Sequence, residues 1–172
     1  MKKIIFSTIL FLCANFLTQA QDYELIRTFN GHQSEVSYIT FRGEDNLLVS
    51  GDESGQIIFW NATNGNIVKK LNIHEDKVTH LEFSNQGRLL ASASHDGTVK
   101  VYDLKRKKIV QIFENTSTSA YSDVKGNEPT FCAFAPDDKS LYFGGYNLQI
   151  LKGNIKRGKI ETVYYNEEYG IT

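Results

Sequence analysis

The four histidines, His32, His74, His80 and His95, are the residues whose chemistry could make this chain a catalyst or a metal-binding protein. An imidazole acts as a general base or a metal ligand when carboxylates or cysteines lie at matching spacings. None of the four has such neighbours in the sequence, which also lacks a nucleophile elbow, a phosphate-cradling glycine motif and a calcium loop. The sequence therefore predicts no catalytic residue, no metal site and no cofactor.

Two of the histidines instead belong to a repeat whose period is 42 residues. The landmarks that keep this offset are the pairs His32 and His74, Val36 and Val78, Phe41 and Phe83, Ser50 and Ser92, Gly55 and Gly97, and Trp60 and Tyr102. A weaker third copy follows at an offset of 51, where Phe134 aligns with Phe83 and Leu141 with Leu90. A fixed period in this range indicates an array of similar structural units that bury their apolar faces against one another.

The repeat resembles the WD-repeat family of β-propellers. Gly31-His32 opens the first copy and Trp60-Asn61 closes it, much like the Gly-His head and the Trp-Asp tail of that family. The second copy has His74 without a preceding glycine, and it ends at Tyr102-Asp103. The third copy lacks both the head and the tail, and Gly153-Asn154 stands at its end.

The resemblance implies an all-β fold of four-stranded antiparallel blades. It places the blades at approximately 29–71, 72–113 and 129–165, with an insertion loop at 114–128. Propellers typically have 4–8 blades, and residues 21–172 suffice for fewer than four at 42 residues each. We therefore expect a partial propeller, open or truncated. The chain is then either a fragment of a longer protein, whose downstream sequence would complete the ring, or a truncated reading frame, and assembly with a partner arc is a lower-ranked alternative.

Residues 1–20 have the features of a secretory signal peptide. Lys2 and Lys3 precede a mostly apolar stretch, and Thr18 and Ala20 suit a cleavage site after Ala20. We expect the mature chain to be periplasmic or secreted, with no membrane insertion once the signal is removed. Cleavage would leave Cys132 as the one thiol, so no internal disulfide is expected.

Charge argues against nucleic-acid binding. Without the two lysines of the signal, 17 basic residues remain against 20 acidic ones, whereas binding to phosphate backbones depends on clustered lysine and arginine. One basic run, Lys105 to Lys108, is an exception. A solvated turn is the simpler interpretation of this run, and an anionic partner is the alternative.

The resemblance also implies a hydrogen-bonded chain inside each blade, because buried imidazole and indole N–H groups need partners. In the family this chain joins the head histidine, a serine, a turn aspartate and the tryptophan. The matching residues are His32, Ser50 and Trp60 in the first copy, where Ser54 takes the aspartate position, and His74, Ser92, Asp96 and Tyr102 in the second.

A partner-binding face is the second set of residues that the resemblance implies. The loops that carry it in the family correspond here to Glu35, Ser37, Glu53, Lys77, Thr79 and His95, followed in the third copy by Glu128, Thr130 and Tyr146. An exposed His95 would make binding sensitive to pH, since histidine titrates near neutrality.

The repeat keeps its period, and the sequence shows no set of residues suited to catalysis. Together these features favour a non-catalytic scaffold that binds a protein or peptide. The alternative is a regulatory or docking part of a longer enzyme whose catalytic domain lies outside this chain. A propeller enzyme with chemistry in its central channel would need convergent carboxylates or histidines, which the sequence does not place.

Overall fold

A computed structural model of the chain describes residues 26–43, 45–114, 128–145 and 149–165, and these contain twelve β-strands. The predicted signal peptide, most of the predicted insertion loop and Tyr146 lie outside the described residues. The strands are β1 (Val36–Arg42), β2 (Leu47–Asp52), β3 (Gln56–Asn61), β4 (Ile67–Asn72), β5 (Val78–Phe83), β6 (Leu89–Ser94), β7 (Thr98–Asp103), β8 (Lys108–Glu114), β9 (Pro129–Phe134), β10 (Ser140–Gly145), β11 (Gln149–Asn154) and β12 (Ile160–Tyr165).

The strands form three four-stranded antiparallel sheets, each in simple chain order. We call them blade 1 (β1–β4), blade 2 (β5–β8) and blade 3 (β9–β12). The predicted fold class is confirmed: the molecule is all-β and the blades form an open, partial β-propeller. In the described part of the chain, no helix has the length and apolar character needed to cross a bilayer.

Strand register shows that the three blades are copies of one unit. Leu48 pairs with Trp60 in blade 1, and Leu90 with Tyr102 in blade 2. Leu141 pairs with Gly153 at the same place in blade 3. The pairing between the first and second strands shifts register at one position in each blade. This position is Ser37 in blade 1, Thr79 in blade 2 and Thr130 in blade 3.

Two hydrophobic clusters lie between blades, and a smaller one, formed by Leu48, Ile58 and Trp60, lies within blade 1. Val49, Ile57 and Phe59 of blade 1 pack against Val78 and Leu81 of blade 2. A second cluster joins blades 2 and 3 and contains Val99, Val101, Phe113, Cys132, Leu141 and Phe143. Burial raises the pKa of the Cys132 thiol, and such a buried thiol is unreactive.

Blade 1 exposes the face that blades 2 and 3 bury. Val36, Ile39 and Phe41 on β1 are all more than half exposed. The corresponding residues of blade 2 include Val78 and Leu81, which are sealed by blade 1. The face of a blade's first strand is therefore buried where another blade packs on it and exposed where none does.

Candidate functional site

Ser50 is the centre of a buried hydrogen-bonded chain in blade 1. The indole Nε1 of Trp60 donates to Ser50 Oγ at 2.7 Å, and Ser50 Oγ lies 2.6 Å from Nε2 of His32. His32 Nδ1 lies 2.6 Å from Asp52 Oδ2. A carboxylate only accepts, so Nδ1 donates to it, and with a neutral imidazole the Ser50 hydroxyl then donates to Nε2. Every polar hydrogen along this chain thus has an acceptor.

The acid of this chain is Asp52, and not the position of Ser54 that the repeat alignment indicated. Ser54 instead donates to Asp52 Oδ1 from its hydroxyl at 2.7 Å and from its backbone N–H at 2.9 Å. Blade 2 has the reverse order, with Ser94 and Asp96 at the matching positions. One position is the last residue of the second strand and the other lies two residues later in the turn, and a carboxylate at either reaches the head histidine.

Blade 2 builds the same chain around His74. Nε2 of His74 lies 2.7 Å from Ser92 Oγ, and Nδ1 lies 2.8 Å from Asp96 Oδ2. The Thr98 hydroxyl donates a further hydrogen bond to this aspartate, at 2.6 Å from Asp96 Oδ1. The structure thus brings three of the four predicted residues of this blade together.

Tyr102, the fourth predicted residue, has a different partner. Its hydroxyl accepts from Nζ of Lys69 in blade 1, whose ammonium also lies 4.7 Å from the centre of the Tyr102 ring. A phenol hydroxyl projects along the ring axis, whereas an indole N–H leaves from the ring edge. The predicted link from Tyr102 to Ser92 is therefore corrected: this tyrosine connects two blades.

Hydrogen bonds depress the pKa of both acids. Burial acts to raise the pKa of Asp96, but the bonds from His74 and Thr98 and the charge of His74 outweigh it and hold that pKa well below its usual value. Burial likewise opposes the shift at Asp52, where bonds from Ser54, His32 and Gln56 lower the pKa.

These shifts predict that acid weakens the fold. A carboxylate whose pKa is depressed by folding stabilises the protein above its unfolded pKa of about 3.9, and this contribution is lost as the pH falls towards the folded value. We expect urea titrations to show the free energy of unfolding falling between pH 5 and pH 2. The double variant Asp52→Asn/Asp96→Asn should be less stable at pH 7 but lose much less on acidification. An unchanged loss in that variant would contradict the assignment.

The other two histidines lie apart from these chains and from each other. His80 stacks on Tyr38 of blade 1, with ring centres 4.4 Å apart and 3.1 Å between Nε2 and the tyrosine hydroxyl. Burial lowers the pKa of His80. Tyr38 was missed from sequence, although it lies 42 residues before His80, at the same repeat position. Over the described ranges, no three His, Cys, Asp or Glu side chains are grouped to hold a metal ion.

Most of the predicted partner-binding residues form a continuous line along one edge of the blades. Glu53 N–H donates to the Glu35 carbonyl at 3.0 Å, and Lys77 Nζ lies 2.9 Å from a Glu53 carboxylate oxygen. His95 N–H donates to the Lys77 carbonyl at 3.0 Å, and the His95 ring faces Glu128 at 3.6 Å. We call these five residues the charged rim.

Two predicted members of the binding face have structural contacts. The Ser37 hydroxyl donates to the Val78 carbonyl at 2.5 Å, across the boundary between blades 1 and 2. The Thr79 hydroxyl donates to the Pro129 carbonyl at 2.7 Å, across the boundary between blades 2 and 3. Both residues are half-buried and their hydroxyls make contacts between blades, and their assignment to a partner-binding face stays a prediction.

Comparison with protein families agrees with this architecture. A family model described as the Vps42 beta-propeller, named for Vps41, matches residues 19–125, which is more than half of the chain. The chain belongs to this Vps41-type β-propeller family. The match includes all of blades 1 and 2 and therefore both hydrogen-bonded chains.

Solved structures similar to this Vps41-type propeller chain include two computationally designed proteins. The Ika4 protein is 24% identical with a TM-score of 0.63, over 78% of this chain and 74% of Ika4. The Ika8 protein is 25% identical with a TM-score of 0.62, over 77% of this chain but only 37% of Ika8. These likenesses concern the fold. No curated protein sequence matches the chain significantly.

Proposed function

We propose that this chain is a non-catalytic protein-binding module that presents its charged rim to a partner protein. The supporting observation is the unbroken line from Glu35 through Glu53, Lys77 and His95 to Glu128. Its residues lie in turns and connections directly next to strand ends, and many proteins position residues for binding on loops that a rigid scaffold holds. β-Propellers commonly serve as protein-interaction scaffolds, and the match to a β-propeller family supports this proposal.

The alternation of charge along the rim indicates the kind of partner. Acidic Glu35 and Glu53 are followed by basic Lys77, then by His95 and acidic Glu128. Rim charges of this kind contribute mainly to partner choice and association rate, because exposed pairs add little affinity. A partner whose surface carries the complementary order of charges fits this edge.

Two further features of the proposal come from the sequence. We propose that residues 1–20 direct export, so that binding takes place in the periplasm or outside the cell; the family match begins at residue 19 and leaves nearly all of that segment outside it. We also propose that the blades are WD-type repeats, in view of the His32–Ser50–Trp60 chain. The second candidate is a regulatory or docking role within a longer enzyme. It would use the same binding surface and differs only in requiring a catalytic domain outside this sequence.

A capture experiment tests the rim. The chain is immobilised and exposed to extract from its native source, and retained proteins are compared with those held by a Glu53→Ala/His95→Ala variant. The expected result is at least one protein that binds the wild type and loses about tenfold in affinity for the variant. Glu161→Ala on the outer strand β12 serves as a control that should retain the partner. Equal retention by the rim variant, or no specific partner at all, would refute the proposal.

A further inference from the structure

A basic cleft opens between blades 2 and 3 at the end of the blades opposite the charged rim. Four turns surround it, formed by residues 84–88, 104–107, 135–139 and 155–159. Its volume is about 790 Å³, within the range of pockets that hold small ligands or short peptide segments. One end is fixed by Asn85, whose side-chain amide donates to Asp138 at 3.0 Å across the blade boundary.

Positive charge predominates in this cleft. Five cationic side chains line it, Arg88, Arg106, Lys139, Lys156 and Arg157, against the carboxylates of Asp103 and Asp138. The two acids are already engaged within the fold. Asp103 is buried and accepts from Arg88 at 2.8 Å and from the Arg106 backbone at 2.8 Å. Asp138 accepts from the backbone N–H groups of Asn85 and Gln86 at 2.9 and 3.1 Å.

Three of the cations are available to an anion. Lys139, Lys156 and Arg157 form no ion pair with any residue that the structure describes. Cations that line a concave surface focus their field into it and attract anions from solution. The cleft therefore favours a negatively charged occupant.

This concentration of charge is specific to blades 2 and 3. The turn between β3 and β4 of blade 1, residues 62–66, contains only alanine, threonine, asparagine and glycine. The corresponding turns contain Lys105, Arg106 and Lys107 in blade 2 and Lys156 and Arg157 in blade 3. At the cleft between blades 1 and 2, Arg42 is paired with Asp45. The formal charge of the whole chain is only −1, so the basic cleft does not follow from composition.

The floor of the cleft is apolar. Leu89, Val110 and Ile155 line it and are only partly buried, packed on the core between blades 2 and 3. A phosphate site gathers its donors around one point, whereas these cations come from several turns around an apolar floor. That arrangement suits an extended chain in which carboxylates meet the walls and an apolar side chain meets the floor.

We propose that the basic cleft binds an acidic peptide segment of a partner protein, with acidic and apolar side chains in alternation. This site is separate from the charged rim, since the two lie at opposite ends of the strands. A partner could therefore contact one site without the other.

Fluorescence anisotropy with a short labelled peptide of alternating glutamate and leucine tests the proposal on the full chain. We expect a Kd of about 10–100 μM at low salt, weakening steeply as salt rises. The same peptide with glutamine for glutamate should not bind. Lys156→Glu should weaken binding at least fivefold, whereas Lys70→Glu, an equal change of net charge on blade 1, should change it less than twofold.

Three outcomes would overturn the proposal. Equal weakening by the two variants would indicate only diffuse attraction to charge. If the glutamine peptide bound as tightly as the glutamate peptide, negative charge on the peptide would not be required for binding. Competition by inorganic phosphate at concentrations similar to the peptide would make the cleft a phosphate site. The rim variant Glu53→Ala/His95→Ala should leave peptide affinity unchanged, so a failure at one site is distinguishable from a failure at the other.

Discussion

Replacing Leu81 by alanine is expected to lower the free energy of unfolding by about 3 kcal/mol, whereas the same kind of change at Ile39 should cost under about 1 kcal/mol. The two residues occupy the same repeat position, 42 residues apart, on the first strand of their blades. Leu81 is 1% exposed because blade 1 packs over it, and Ile39 is 58% exposed. Truncating the first leaves a cavity between blades, while truncating the second removes surface that is already in water.

Urea denaturation of Leu81→Ala and Ile39→Ala, each followed by circular dichroism, measures the difference directly. Both changes reduce an aliphatic side chain to alanine on the first strand of a blade. Near-equal losses would show that blade 1 does not cover Leu81 in solution, which would contradict the packing of blade 1 against blade 2.

The substitution Gly55→Ala is expected to cost about 3 kcal/mol, and its counterpart Gly97→Ala about 1 kcal/mol. Both glycines end the turn between the second and third strands of their blades, with φ of 84° and 85°. An alanine at either place is strained in this left-handed region. At Gly55 the new Cβ would also lie 2.9 Å from the Asp76 carbonyl oxygen and closer still to that of His74. Backbone atoms cannot swing aside, so the head of blade 2 has to shift.

Thermal and urea denaturation of the two glycine variants separate the cost of the left-handed backbone conformation from the cost of the steric clash between blades. At Gly97 a Cβ would meet no described atom within 4 Å, so this variant reports the cost of the backbone conformation alone. The additional loss at Gly55 reports the contact between blades. If both variants lost the same stability, the close approach of the blade 1 turn to the head of blade 2 would be refuted.

Much of the fold could be predicted from sequence because the repeat keeps its period. Landmarks at an offset of 42 identify equivalent strands without any knowledge of their contacts, and strand register then places Leu48 opposite Trp60 and Leu90 opposite Tyr102. The hydrogen-bonded chains could be anticipated for the same reason, since His32, Ser50 and Trp60 do meet.

Features that depend on three-dimensional reach could not be predicted in this way. An alignment assigns the acid of blade 1 to position 54, yet the turn lets Asp52 reach His32. Residue type cannot show that Tyr102 turns to Lys69, or that the Ser37 hydroxyl crosses to blade 2. The basic cleft needs the turns of blades 2 and 3 to lie side by side, and the spacing of lysines along a chain does not reveal that.

Among the described residues, two side-chain contacts across the blade boundaries have their acidic partners on opposite sides. Glu53 of blade 1 meets Lys77 of blade 2, but His95 of blade 2 meets Glu128 of blade 3. Had blade 3 docked directly onto blade 1, the carboxylates of Glu53 and Glu128 would face each other and repel. Chains built from similar modules are prone to joining those modules in the wrong sequence. The order of these residues along the blades therefore disfavours docking of blade 3 directly onto blade 1, in the place of blade 2.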